Sequence, residues 1–383
     1  MGLRIALTVW MVAVTSGGAL AAPDVTFCRE GWDQATTSVT CDVDEAVDEL
    51  GALAELPKLR RLDLNLGGLK SAQALAALGG LEELALIDTR VADLAPLTKL
   101  KRLRKLHVAG GPLTDLAPLA ELEGLEVLVL ERVAVTDLGP LRGLKKLRLV
   151  SLTDTAVADL GPVAAASSVE QLDLAGGPAV DPAPLAGLAR LRRLSLGGGC
   201  RHALDATARP QQIEVLELGA GCVGGASDLV GWPKLRRVKV ADPALTGLGA
   251  LGATAGKPAR WQSLDVSRSG ISSLSGIDAF PALTELYAEE TAVSDLAPLR
   301  SLPKLEVLGL SKTAVADLAP LAGLKRLRNV WLNATAVADL TPLHRLARLE
   351  QLYLSGTPVA RDEAALEALR KKRTGILIYA ESP

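Results

Sequence analysis

Three histidines are the side chains best suited to acid–base or nucleophilic catalysis, and their spacing does not form a catalytic set. His107, His202 and His344 fall in different copies of a repeated sequence unit and at different positions of that unit. A serine–histidine–acid or cysteine–histidine mechanism needs its groups within hydrogen-bonding reach of one another. Aspartates recur in a D-L-x-P-L phrase, where helix capping explains them. We therefore predict no catalytic residues and no enzyme activity.

A glycine-rich segment from Gly219 to Gly224 has the form of a phosphate-binding turn. It follows an apolar strand pattern, and Asp242 ends the next such pattern, as in a dinucleotide site. A dinucleotide-binding fold also needs a crossover helix between its parallel strands. The following segment contains Gly231 and Pro233 and is unsuited to such a helix. We predict no cofactor.

Four cysteines have spacings that suit two disulfides. Cys28 and Cys41 lie close together near the N-terminus. Cys200 and Cys222 are 22 residues apart, at equivalent positions of adjacent units, where stacked strands bring Cα atoms to about 5 Å. The alternative is a pair of free, reactive thiols. No histidine or further cysteine shares their position, so we predict no metal site.

Aromatic side chains recur at one position of the last repeats and favour binding over catalysis. Tyr287, Trp331 and Tyr353 occupy that position, and Gly309 stands between the first two. Strand spacing places Tyr287 and Trp331 about 10 Å apart. The flanking polar residues predicted to share this surface are Glu285, Glu289, Asn329, Asn333 and Gln351. Such aromatics suit a protein hot spot or stacking on sugar rings, or they pack only on one another.

A second, weaker apolar patch occupies the same strand positions nearer the N-terminus. It comprises Val127, Val129 and Leu149.

The element that positions these residues is a 22-residue unit, seen clearly in the segment LEVLGLSKTAVADLAPLAGLKRL from Leu305 to Leu327. Leu308 and Leu310 alternate with other residues, which predicts a strand with one buried face. Asp317 is then expected to cap a single helical turn of the 3₁₀ type, with Pro320 in its first turn. One unit buries too little apolar surface to offset the entropy of ordering its backbone, so the units must stack.

Fourteen copies follow one another at a spacing of 22 residues, with one spacing of 26 between Leu235 and Trp261. At about 4.8 Å per strand they predict an arc roughly 65 Å long. Hydrophobic residues form 49% of the 383-residue chain but aromatics only 3%, as a stacked leucine core requires. The copies start at Leu59, Leu81, Leu103, Leu125, Leu147, Val169, Leu191, Ile213, Leu235, Trp261, Leu283, Leu305, Leu327 and Leu349.

The phrase T-x-V-x-D-L-x-P-L-x-x-L resembles the 22-residue leucine-rich repeats of bacterial internalins and of phosphatase-regulator-type proteins. The resemblance implies an α/β solenoid: a right-handed leucine-rich-repeat arc with a parallel β-sheet on its concave face and short 3₁₀ or helical turns on its convex face. It also implies a binding scaffold. The family usually has asparagine where this chain has threonine, at Thr89, Thr155, Thr291, Thr313, Thr335 and Thr357.

The rest of the chain is predicted to form a leader and two caps. Residues 1–21 have a positive start at Arg4, an apolar run and an Ala19-Leu20-Ala21 cleavage site, which predicts a secretory signal peptide. Residues 22–58 form an N-terminal cap, residues 59–360 the repeats, and residues 361–383 a helical C-terminal cap. The apolar run is too short to span a bilayer, so we predict an exported protein, periplasmic or extracellular, without a membrane span.

The charge balance narrows the class of partner. With 42 basic and 44 acidic residues the net charge is −2, which gives no drive toward nucleic acid. We predict a non-enzymatic recognition protein that binds a protein partner through the concave surface. The alternatives are binding of a carbohydrate such as a cell-envelope polysaccharide, and regulation of an enzyme partner, which the signal segment and cysteines disfavour.

Overall fold

A computed structural model describes residues 25–28, 30–42, 50–204, 211–223, 229, 232–251 and 259–380. The predicted signal peptide at residues 1–21 lies outside these ranges. Gly224 and residues 252–258, within the unit of 26 residues between Leu235 and Trp261, lie outside them as well.

One parallel sheet runs through the described chain, and its strands are neighbours in chain order, as the repeat predicts. It is open at both ends, and each strand pairs in parallel with the next. Its sixteen strands are β3 (Ser38–Asp42), β4 (Arg61–Asn65), β5 (Glu83–Ile87), β6 (Lys105–Ala109), β7 (Val127–Glu131), β8 (Leu149–Thr153), β9 (Gln171–Asp173), β10 (Arg193–Leu196), β11 (Val215–Leu218), β12 (Arg237–Val240), β13 (Ser263–Asp265), β14 (Glu285–Tyr287), β15 (Val307–Gly309), β16 (Asn329–Trp331), β17 (Gln351–Tyr353) and β18 (Leu377–Tyr379).

The other elements are short. A two-stranded antiparallel sheet precedes the arc, formed by β1 (Val25–Phe27) and β2 (Glu30–Trp32), and the helices are α1 (Gly161–Ala165) and α2 (Glu363–Lys372). Between strands the chain returns through single 3₁₀ turns, as predicted. These turns are Leu50–Glu55, Gln73–Ala77, Ala95–Lys99, Ala117–Glu121, Gly139–Gly143, Ala183–Gly187, Leu248–Leu251, Ile277–Ala279, Ala297–Ser301, Ala319–Gly323, Thr341–Arg345 and Pro358–Arg361.

The core is a stack of aliphatic side chains between the sheet and the turns. In one unit, Leu305, Leu308, Leu310, Val315 and Leu318 are all at most 1% exposed. Burying each such side chain contributes about 2 kcal/mol, and the contribution is shared with the units above and below. The fold is therefore the predicted leucine-rich-repeat arc, with the sheet on its concave face.

Aspartates begin the turns, as predicted. The Asp317 carboxylate accepts a hydrogen bond from the Ala319 amide at 2.8 Å. The aspartate stands one residue earlier than a standard cap, because Leu318 is the residue that precedes the 3₁₀ turn. The same contact recurs at Asp93, Asp115, Asp137, Asp159, Asp181, Asp295 and Asp339.

The threonines that replace the family's asparagine close the bend after the strands of the last units, whereas the Thr89 hydroxyl is buried without a hydrogen-bond partner among the described residues. The hydroxyl of Thr313 donates to the Leu310 carbonyl at 2.7 Å, and that of Thr335 donates to the Leu332 carbonyl at 2.7 Å. Both threonines are buried. A hydroxyl satisfies a local carbonyl within its own unit, so the bend needs no amide at this position.

A column of residues with left-handed backbone conformation marks the bend where the chain leaves most strands. Ala334 has φ of 54° and Gly356, one unit later, has φ of 76°. The other non-glycine residues of this column, with φ between 50° and 62°, are Asp88, Arg132, Asp154, Arg268, Glu290 and Lys312. A Cβ costs about 1–2 kcal/mol in this conformation.

Replacing Ala334 by glycine is expected to raise the free energy of unfolding by about 0.5–1 kcal/mol. The relief of left-handed strain exceeds the extra entropy that glycine has in the unfolded chain. Urea denaturation measures the difference. Ala336, also exposed but without a positive φ, is the matched control, and Ala336→Gly should lower stability. Equal effects of the two substitutions would contradict the strain argument.

Along the edge of the sheet where the chain enters the strands, positively and negatively charged side chains alternate from one unit to the next. Arg104 lies 3.3 Å from Glu126, and Arg148 lies 3.0 Å from Glu170. Sequence reasoning missed this column because it lies outside the buried pattern. Its members, one for each of nine consecutive units, are Arg60, Glu82, Arg104, Glu126, Arg148, Glu170, Arg192, Glu214 and Arg236.

The structure contains both predicted disulfides. Cys28 and Cys41 join the first hairpin to β3, with Cα atoms 5.7 Å apart. Cys200 and Cys222 join adjacent units, with Cα atoms 4.8 Å apart. The helix of the predicted C-terminal cap is α2, which spans Glu363–Lys372. It begins after Asp362, whose carboxylate accepts from the Ala365 amide at 3.0 Å.

Candidate binding surface on the concave sheet

Four aromatic rings form a ladder on the concave face of the last strands. Tyr287, Trp331, Tyr353 and Tyr379 make up this aromatic ladder, on β14, β16, β17 and β18. The ring centroids of Trp331 and Tyr353 are 5.3 Å apart, and those of Tyr353 and Tyr379 are 4.4 Å apart. These three rings are nearly parallel, with interplanar angles of 11° and 9°. The ladder is a continuous aromatic surface that is partly open to solvent.

Gly309 allows the first ring to join the ladder. The Tyr287 and Trp331 ring centroids are 6.2 Å apart, although two strand steps separate their backbones by about 10 Å. A Cβ at Gly309 would lie 2.8 Å from Tyr287 Cδ1 and 3.3 Å from Glu289 Oε1. The ring and the carboxylate therefore both lie over the bare backbone of β15. Gly309 therefore leaves no gap in the ladder, because both side chains cover it.

Sequence reasoning missed Tyr379. The residue lies 26 positions after Tyr353 instead of 22, because α2 replaces the usual turn. The pairing of Leu352 with Ile378 and of Tyr353 with Tyr379 shows the correspondence. The signal was present in the sequence, since an apolar residue precedes each tyrosine on its strand.

The predicted polar residues flank the ladder on both sides. Gln351 Oε1 accepts a hydrogen bond from the Tyr353 hydroxyl at 3.3 Å. Asn333 Oδ1 accepts from the Ser355 amide at 2.9 Å, which fixes its side chain against the next unit. Asn329 and Glu285 occupy the strand positions two residues before Trp331 and Tyr287. The ladder is thus bordered by amides at its centre and by carboxylates at the Tyr287 end.

The environment of Tyr287 raises the pKa of its hydroxyl. Burial raises its pKa to about 12, and the nearby charges of Glu285, Asp265 and Glu289 add to the rise, while Arg237 opposes it. A negative potential therefore surrounds this end of the ladder.

An ultraviolet difference titration against Tyr287→Phe is expected to show that Tyr287 stays protonated at about pH 11, where an ordinary tyrosine has largely ionised. The folded-state pKa lies above the ordinary value of 10.0. The protonated Tyr287 hydroxyl therefore contributes to the stability of the folded state. This contribution is fully present below pH 10 and is lost as the pH rises through about 12. A Tyr287 transition near pH 10 would contradict the burial and the carboxylate field.

The N-terminal half of the concave face offers less to a partner. In the predicted second patch, Val129 is only 4% exposed, whereas Val127 and Leu149 are half-buried. Burial raises the pKa of two acids of this half, Asp63 and Asp173, and of Glu217 just beyond it. The large apolar surface accessible to a ligand lies instead at the C-terminal end.

The histidines stay apart in the structure. His107 lies on β6 and His344 in the turn before β17, more than ten strands further along the sheet. Among the described residues no group of three or more histidine, cysteine, aspartate or glutamate side chains is arranged to hold a metal ion. Within the same residues, no helix has the length and apolar character needed to cross a membrane.

Comparisons with known proteins identify the fold. No protein-family profile and no curated protein matches this sequence. A leucine-rich-repeat protein of Leptospira interrogans has a TM-score of 0.61 and 16% identity, covering 90% of each chain. An internalin of Listeria monocytogenes has a TM-score of 0.52 and 20% identity, covering 93% of this chain and 91% of that one. The Drosophila Toll–Spätzle complex contains a chain with a TM-score of 0.62 and 16% identity, covering 86% of this chain and 48% of that one.

The fold and the surface together define a class. The chain is a leucine-rich-repeat solenoid whose structural neighbours include bacterial internalins. Its distinctive surface is the aromatic ladder at the C-terminal end of the concave sheet.

Proposed function

We propose that this protein is an exported, non-enzymatic recognition protein that binds a protein partner on the aromatic ladder. The observation that carries the proposal is the row of four rings, of which three are stacked nearly parallel on a concave sheet. Aromatic side chains dominate the energetics of protein interfaces because they bury much area at little entropic cost. The Toll–Spätzle complex gives a structural neighbour that contains a protein–protein assembly.

Export is supported by two observations. The protein has two disulfides, and disulfides are rare in the reducing cytosol. Residues 1–21 have the composition of a signal peptide. Regulation of a cytosolic enzyme, the alternative suggested by the phosphatase-regulator resemblance, fits neither observation.

A carbohydrate partner is the second candidate. Stacked rings bordered by Gln351 and Asn329 would suit a sugar ring and its hydroxyl groups. The carboxylates at the Tyr287 end and the length of the ladder favour a polypeptide instead.

Site-specific photocross-linking tests the proposal. A benzoylphenylalanine placed at Asn333, beside the ladder, is expected to cross-link one reproducible polypeptide in the native cell envelope. The same group at Thr341, in a turn on the convex side, should not. Mass spectrometry identifies the product. Exclusive cross-linking to polysaccharide would favour the carbohydrate candidate, and equal yields from both positions would remove the concave surface from consideration.

A further inference from the structure

The aromatic ladder has an acidic end. Each strand from β13 to β18 presents to the concave side its ladder position and the positions two residues before and after it. Among the described residues at these positions there are three carboxylates, Asp265, Glu285 and Glu289, and no basic side chain. All three lie on or beside β13 and β14, around Tyr287.

Charges at the borders of this surface are already paired. Glu290 lies 3.4 Å from Arg268 and 3.2 Å from Lys312 on the bend side of the strands. On the opposite side, Arg328 lies 2.8 Å from Glu350. On β12, the strand next to β13, Lys239 pairs in register with Asp265, and Arg237 acts on the Tyr287 hydroxyl. These two positive charges offset part, but not all, of the charge of the three carboxylates around Tyr287.

The opposite end of the ladder is apolar. Leu377 is 52% exposed and Tyr379 is 42% exposed, and both lie on β18, the last strand of the sheet. Exposed large apolar side chains that adjoin one another mark interaction surfaces. Four strand steps separate Tyr287 from Tyr379, which is about 19 Å at the usual strand spacing.

We propose that the partner presents an extended segment that crosses the strands, with an arginine or lysine at the acidic end and a large apolar side chain at the Leu377–Tyr379 end. An extended chain rises about 3.3 Å per residue, so these two side chains are about six residues apart. This inference rests on the proposed function and gives it a specific partner chemistry.

Two interactions favour the basic residue. A guanidinium or ammonium group near Tyr287 would be attracted by the carboxylates of Glu285 and Asp265 and by the face of the ring. Asn329 and Asn333 lie between the two ends, where their amide groups suit the backbone of an extended segment. An anionic partner such as nucleic acid would be repelled at the same place.

A phage-displayed library of random linear dodecapeptides tests the proposal on the intact chain. Selected sequences are expected to share an arginine or lysine about six residues from a leucine, isoleucine, phenylalanine or tryptophan. Selection on Glu285→Gln/Asp265→Asn should lose the basic preference alone. Selection on Leu377→Ser should lose the apolar preference alone. Glu121→Gln/Glu123→Gln, which removes two charges from the convex side, should change neither.

The dissociation constant of one selected peptide measures how much the carboxylates contribute to binding. The Glu285→Gln/Asp265→Asn substitution should weaken it about tenfold, and raising the salt concentration should weaken the wild-type complex but affect the variant much less. Selected sequences without basic residues, or a basic preference that survives removal of both carboxylates, would overturn the inference. If Asn333 still cross-links a protein while the peptide selection shows no basic preference, the proposed function stands and only the inference about the partner's chemistry fails. If both experiments fail, the proposed function fails as well.

Discussion

Replacing Trp331 and Tyr353 together by alanine is expected to weaken binding of the cross-linked partner by at least about 100-fold. Hot-spot aromatics at the centre of an interface each contribute about 2 kcal/mol or more on truncation. The double substitution also separates the outer rings, because Trp331 and Tyr353 connect Tyr287 to Tyr379 through the contacts at 6.2, 5.3 and 4.4 Å. Titration calorimetry with the purified partner measures the loss.

Conservative variants provide the control for this loss. Trp331→Phe/Tyr353→Phe keeps two stacked six-membered rings. It removes the pyrrole part of the Trp331 indole and the Tyr353 hydroxyl, which bonds to Gln351 in the same strand. We expect less than about a tenfold loss from this variant. The alanine variant should stay folded, because aromatic pairs on a surface contribute about 0.5–1.5 kcal/mol each. Undiminished binding by the folded alanine variant would exclude the ladder as the interface.

Replacing Trp261 by alanine is expected to lower the free energy of unfolding by about 3–5 kcal/mol. Trp261 stands where most units have leucine, is 1% exposed, and packs on Phe280 with ring centroids 4.9 Å apart. Both aromatic residues fill the core beside the unit that is four residues longer than the others. Truncation leaves a cavity that the stacked units on either side cannot close. Urea denaturation measures the effect.

Trp261→Phe separates ring volume from hydrogen bonding. The indole N–H of Trp261 is buried without a hydrogen-bond partner among the described residues. Phenylalanine removes that unpaired donor, which offsets part of the lost packing. We expect a loss of less than about 1.5 kcal/mol, as for a swap of similar shape. A loss equal to that of alanine would contradict the expectation that a phenyl ring restores most of the packing.

The leucine period makes the fold predictable. Leu305, Leu308 and Leu310 recur in every unit with little change, and burial of that pattern leaves one arrangement of strand and turn. The same period assigns Trp331 and Tyr353 to equivalent positions of adjacent strands. Their stacking follows, because flat side chains at paired positions of parallel strands face each other.

Other features of the surface depend on contacts that the period does not describe. Tyr379 joins the ladder only through the pairing of β18, after a helix has interrupted the spacing. The lean of Tyr287 over Gly309 reflects the absence of a Cβ on the intervening strand. The sequence pattern predicts that Val129 is open, whereas its side chain is only 4% exposed. The functional roles of the predicted surface residues stay predictions.

The alternating arginine and glutamate column limits how this protein can change its length. Deleting a single unit between Arg60 and Arg236 would set two like charges on adjacent strands, where they repel. Deleting or duplicating two units together restores every attractive neighbour. Along this stretch, gains or losses of repeats in blocks of two avoid this repulsion, which for such exposed side chains is worth at most about 1 kcal/mol per pair.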